Sequence, residues 1–166
     1  MNYDSSNTVI LAYTISNIVG LLLLFVAYKM PKLARLMFML LFAWASWVNY
    51  TTCRLDPDIY LAYGDKSIRL YSDFIKGWFR DNIVLVVTII AVGQGLISIG
   101  ILLKGWCVTL ACFGAIFFLL SIAPLGLYAA FPFSITVSVA AYLIWRKDDK
   151  NYLWKWKVNE PQTLKV

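Results

Sequence analysis

The sequence predicts an all-α fold: a polytopic transmembrane helical bundle of five spans, with four as the alternative, carrying an amphipathic interfacial insert. Three observations predict it. The 166 residues are 61% hydrophobic and only 14% charged, where a soluble domain has about a quarter of its residues charged. Residues 5–28, 36–53, 82–103 and 105–145 contain no Asp, Glu, Lys or Arg, and uncharged runs of that length are made to cross hydrocarbon. The basic residues flank these runs instead of forming a stripe on a soluble face, so the net charge of +6 reads as membrane topology and not as a nucleic-acid surface.

The first run is preceded by no Lys or Arg, is followed by no small-residue cleavage site, and exceeds a signal-peptide core, so it reads as a retained span. The first helix is expected over about residues 8 to 28, ending at Tyr28-Lys29-Met30-Pro31, because proline cannot extend the ladder and lysine suits a helix C-terminus. Pro31 then starts the second helix, expected at about 32 to 52, with Arg35 one turn inside and its stem reaching back to the headgroups.

Residues 53–81 form the main polar insert, with Arg54, Lys66, Arg69, Lys76 and Arg80 balanced by Asp56, Asp58, Asp65, Asp73 and Asp81. Asp56-Pro57 is a cap followed by a first-turn proline, which predicts a short helix from Ile59 to Tyr63, closed by Gly64. Ile68, Tyr71, Ile75 and Trp78 then fall at helical spacing with Phe79 widening the stripe, so an amphipathic helix lying flat on the membrane surface follows.

The third span is expected at about 82 to 103 and turns at Lys104-Gly105. The 41 residues from 105 to 145 are too many for one crossing of a hydrocarbon layer about 30 Å thick. They must fold back around Pro124, Gly126 and Pro132, giving a fourth span of about 106 to 123 and a fifth of about 130 to 146, with a re-entrant hairpin as the variant form. Residues 1–150 then make one bundle and 151–166 an interfacial tail whose alternating Trp and Lys favour the headgroup layer. With the N-terminus outside and the C-terminus cytoplasmic, ten basic residues lie inside and five outside, which selects that orientation.

Composition narrows the function classes. The chain has no His, which removes His-ligated metal or haem and His-based nucleophilic catalysis. Cys53, Cys107 and Cys112 form no CxxC pair and read as small apolar fillers, so neither a metal set nor a catalytic residue is indicated. No acid lies at midplane depth, which argues against ion-coupled transport. Asn17 and Gln94 lie at about 14 and 18 Å depth and are expected either to bond to each other across helices or to meet a ligand. The small residues Ala91, Gly93, Gly95, Gly100, Ala111, Gly114 and Ala115 predict close packing of the third and fourth spans or a groove beside them.

Trp44, Trp47, Thr51 and Arg54 form one stripe rising to the outer surface. With Asn49, Asp58, Tyr60, Arg69 and Gln94 they suggest a polar-mouthed pocket over an apolar interior, suited to a lipid or quinone whose oxygens would meet Arg54 or Arg69. The plain alternative is an aromatic belt with surface ion pairs.

The segments Trp44-Ala45-Ser46-Trp47-Val48-Asn49, Asp56-Pro57-Asp58-Ile59-Tyr60, Tyr71 to Phe79, Ala91-Val92-Gly93-Gln94 and Ala123-Pro124-Leu125-Gly126 together resemble small bacterial integral-membrane proteins described as DoxX-like, over roughly residues 40 to 135. The resemblance implies a bacterial inner membrane and an association with quinone-linked oxidation; a fifth span departs from the family's four, and no catalytic motif carries over. Two functions follow as expectations. One is a non-catalytic membrane subunit or accessory factor, partnered by the bilayer and by other membrane subunits, that binds a lipid or quinone at an outward cap. The other is a membrane subunit of a quinone-linked oxidoreductase; a small-solute transporter stands third, because few polar residues exist to line a path.

Overall fold

A computed structural model describes residues 3–154, and among them no strand occurs. Helix α1 covers Tyr3–Lys29 and stops one residue before Pro31, which opens α2 at Pro31–Leu55. The backbone N–H of Asp56 closes α2 on Thr52 O, while its side chain makes no capping bond to the next turn, contrary to the capping role expected of it. A 3-10 segment, Pro57–Asp65, follows, and then α3 at Arg69–Phe74, which runs into a π turn at Ile75–Phe79. Helices α4 (Ile83–Leu102) and α5 (Trp106–Ile122) are joined at Lys104-Gly105. A 3-10 segment, Ala123–Ala129, leads to α6 at Phe133–Lys147.

Four helical stretches are long and apolar enough to cross a membrane: Thr8–Lys29, Pro31–Leu55, Ile83–Leu102 and Trp106–Leu127. Helix α6 has 15 residues, about 22 Å at helical rise, shorter than the hydrocarbon layer. The exterior is apolar: Leu11, Phe25, Trp44, Trp47, Trp106 and Phe117 are all exposed. In water that would be a very large unpaired apolar surface; against acyl chains it costs nothing.

The hydrogen bonds fix how the helices run. Ser98 Oγ donates to Met39 O at 3.0 Å and Asn49 Nδ2 to Gln94 Oε1 at 2.9 Å, so α2 and α4 are antiparallel along a shared seam. Asn17 Nδ2 donates to Ala130 O, and Lys147 Nζ to Tyr28 O, so α1 and α6 point the same way. The main apolar core, including Leu23, Phe38, Phe42, Val108, Val137 and Ile144, lies among α1, α2, α4, α5 and α6. A smaller one, Cys53, Ile75, Phe79, Ile83 and Val87, lies beneath the insert.

The close packing read from small residues is found where α4 crosses α5. A Cβ on Gly100 would stand 3.0 Å from Ala111 Cβ and 3.2 Å from Cys107 O. Gly93, by contrast, faces open space.

Two features of the insert differ from expectation. Its inward face is half-buried Tyr71 with buried Ile75 and Phe79, and Trp78 is exposed, because the wider π turn, broken at Gly77 (φ −98°, ψ −116°), moves the inward position on by one residue. The insert also packs onto the bundle through that face, a contact the sequence did not predict. Ile68 N–H donates to Pro124 O and Tyr71 OH to Ser121 O at 2.7 Å.

Arg35 departs furthest. It does not reach the headgroups: it is fully buried. Its Nε and Nη2 donate to Ile101 O (3.1 and 2.6 Å), Nη2 to Leu103 O (2.8 Å), and Nη1 to Asp148 Oδ1 (2.7 Å) and Asn151 O (2.8 Å). One side chain therefore satisfies carbonyls at the C-terminal end of α4, which no later turn can reach, and binds the strap after α6 to the start of α2. That strap is held further by Gly105 N–H on Lys150 O and Leu153 N–H on Leu102 O. The segment expected to cling to the membrane thus folds onto the bundle as far as Leu153, which is buried, with Trp154 exposed. Lys155, Trp156, Lys157 and Lys165 lie outside the described residues.

Candidate functional site

The half of the α2–α4 seam nearer the insert carries a polar chain. Ser46, Asn49 and Cys53 recur at three and four residues on one face of α2, and Ala91, Gln94 and Ser98 do so on α4. Ser46 Oγ donates to Ala91 O at 2.7 Å, Asn49 Nδ2 to Gln94 Oε1 at 2.9 Å, and Tyr60 OH, brought over by the 3-10 turn that Pro57 starts, to Asn49 Oδ1 at 3.0 Å. Gln94 is buried. Tyr60 also stacks on Tyr63, with ring centroids 6.0 Å apart.

Burial, reinforced by the neighbouring Tyr63 and Cys53 and opposed by a bond to Thr52, pushes the Tyr60 phenol up to about 12; burial also raises Tyr63. Both phenols stay protonated at neutral pH. The phenol-to-amide-to-amide chain is therefore uncharged, and its two bonds fasten α2 to α4 and to the 3-10 segment. Folded Tyr60 ionises at about 12 instead of 10. Its contribution to stability is accordingly whole below pH 10 and fades as pH rises from 10 through 12. The difference in phenolate absorbance between the parent and Tyr60→Phe should therefore stay flat through pH 10; a difference that titrates at pH 10 would show an unburied, unbonded hydroxyl.

Three of the seven expected site residues, Asn49, Tyr60 and Gln94, are thus brought together. The others are not. Trp47 is 68% exposed on the face of α2 turned away from the seam. Arg54 folds back on its own helix, with Nη1 donating to Tyr50 O at 2.9 Å and its guanidinium 3.7 Å from the Tyr50 ring centre. Arg69 pairs loosely with Asp73 at 3.9 Å in an exposed i,i+4 pair. The expected bond between Asn17 and Gln94 does not form. Asn17 is held by Tyr13 O and Ala130 O, while Gln94 is taken by Asn49, because α1 packs on α6 and α2 packs on α4.

Asp58 lies at a different feature, an open groove of about 600 Å³. Its rim holds Asp58, Arg80, Asp81 and Asn82, and its wall is the start of α4: Ile83, Val84, Leu85 and Thr88. Arg80 and Asp81 are exposed, and among the described residues neither they nor Asp58 enters an ion pair shown by the structure. Asn82 is anchored by its Nδ2 on Trp78 O. Sequence reasoning passed over Arg80, Asp81 and Asn82. The usable signal was position: they are the last polar residues before the uncharged, apolar start of α4.

The three cysteines are unpaired, and among the described residues no cluster of three or more His, Cys, Asp or Glu side chains is placed to hold a metal ion. No protein-family model, curated protein or solved structure matches the chain.

Proposed function

We propose that this protein is a non-catalytic accessory subunit of a cell membrane that binds a lipid-like amphiphile at its outer rim. It crosses the membrane five times, α6 making the short fifth pass, with the N-terminus outside and the C-terminus in the cytoplasm. The inner end then carries Lys29, Lys32, Lys104, Arg146, Lys147 and Lys150, and the outer end the charge-balanced insert.

One observation carries the reading: the groove beside α4 joins a charged rim to an apolar wall, the layout an amphiphile needs at the level where headgroup gives way to chain. The polar chain from Tyr60 to Gln94 supports the rim by fixing the 3-10 segment that presents Asp58. It is uncharged at neutral pH, and its role on this reading is to fasten helices in place of acid–base chemistry.

Extraction in mild detergent followed by native mass spectrometry tests the proposal. The expected spectrum contains the chain with one retained amphiphile, and Leu85→Asp, which puts a charge on the groove wall, removes that adduct while leaving the fold intact. A parent chain that emerges empty would refute it.

A further inference from the structure

The charges of the groove specify the headgroup. Building on the proposed amphiphile site, we propose that it selects a zwitterionic phospholipid with a primary ammonium, that is, a phosphoethanolamine headgroup. Arg80 is the cation of the rim, and Asp58 and Asp81 are its carboxylates. Arg80 takes no carboxylate partner even though both acids share its groove. A headgroup with a phosphate and an ammonium a few bonds apart meets both signs at once: the phosphate oxygens accept from the guanidinium, and the ammonium donates to the carboxylates.

The same charges discriminate against the other common headgroups. A glycerol-type anionic headgroup brings a phosphate to Arg80 but no cation, leaving two carboxylates facing a third negative charge. A choline headgroup brings a cation without N–H donors, so it forgoes the hydrogen bonds that Asp58 and Asp81 accept. Below the rim, exposed Val84 and Leu85 continue down α4, so the acyl chains follow the helix.

The test reconstitutes the full chain in nanodiscs of equimolar phosphatidylethanolamine, phosphatidylcholine and phosphatidylglycerol, extracts it mildly, and identifies the retained lipid by native mass spectrometry. The ethanolamine lipid is expected to be enriched about three- to tenfold over its bulk share, the size that one or two partly exposed charge pairs supply. Arg80→Gln should abolish the enrichment, and Asp58→Asn with Asp81→Asn should turn the preference toward phosphatidylglycerol. Retained lipid that mirrors the bulk mixture, or that stays ethanolamine-rich in Arg80→Gln, would overturn the headgroup assignment and leave the amphiphile site standing. No retained lipid at all would remove the site itself.

Discussion

Replacing Arg35 with methionine is expected to destabilise the bundle by about 3 to 5 kcal/mol, the cost of breaking a buried ion pair from one side. The substitution keeps an apolar stem of similar length but leaves Asp148, whose side chain is 1% exposed, as an uncompensated charge. It also strands the carbonyls of Ile101, Leu103 and Asn151, which are bonded to the guanidinium. Asp148→Asn should cost less, because an amide oxygen still accepts from Arg35 and from Lys150 N–H, which now meet on Asp148 Oδ1. Arg35→Lys should fall between them, since an ammonium cannot span four acceptors with one planar fork. Thermal unfolding in detergent, with Arg69→Met as the surface control, checks the order. The exposed Arg69 pair is worth at most about 1 kcal/mol, so an Arg35→Met protein no weaker than Arg69→Met would show that the buried pair does not hold that end of the bundle together.

The second large effect is expected at Gly126. Its backbone sits at φ +66°, ψ −127°, a region that is essentially glycine's own, and a Cβ there would stand 2.9 Å from the backbone oxygen of Lys66. Gly126→Ala should therefore cost about 1 to 3 kcal/mol in local strain. Because the clash is with backbone, the residues around Lys66 must move, and with them the bond from Ile68 N–H to Pro124 O that ties the insert to the bundle. Cys53, fully buried against Ile75 and Phe79, reports the result. In a Cys107→Ser background, maleimide should modify Cys53 roughly five- to 150-fold faster in the alanine protein, the change in open population that 1 to 3 kcal/mol produces. An unchanged rate would mean that the insert docks independently of the turn at Gly126.

The helices were legible in the sequence because each is bounded by a signal with its own mechanism. Pro31 separates α1 from α2, Lys104-Gly105 separates α4 from α5, and Pro124 with Gly126 marks the fold-back before α6. Partnership between helices was legible only for α4 and α5, whose small residues meet at Gly100 and Ala111. Depth along a span is set by counting residues, which put Asn17 and Gln94 at comparable levels, but azimuth depends on which helices are neighbours. Arg35 was misread for a related reason: one turn inside a span, a long cation has a headgroup solution and a buried solution, and only the position of Asp148, 113 residues later, decides between them. At the rim, the stripe of Trp44, Trp47 and Arg54 was a true helical face pointing outward. Periodicity identifies a face but not what it looks at.

The order in which the chain is made adds a consequence to the Arg35 contacts. The guanidinium leaves the ribosome more than a hundred residues ahead of its carboxylate, and its carbonyl partners at Ile101 and Leu103 also come much later. During that interval a full positive charge waits at the turn between α1 and α2 without the carboxylate that will neutralise it. Closing of this end of the bundle thus waits until α6 and the strap behind it have been made.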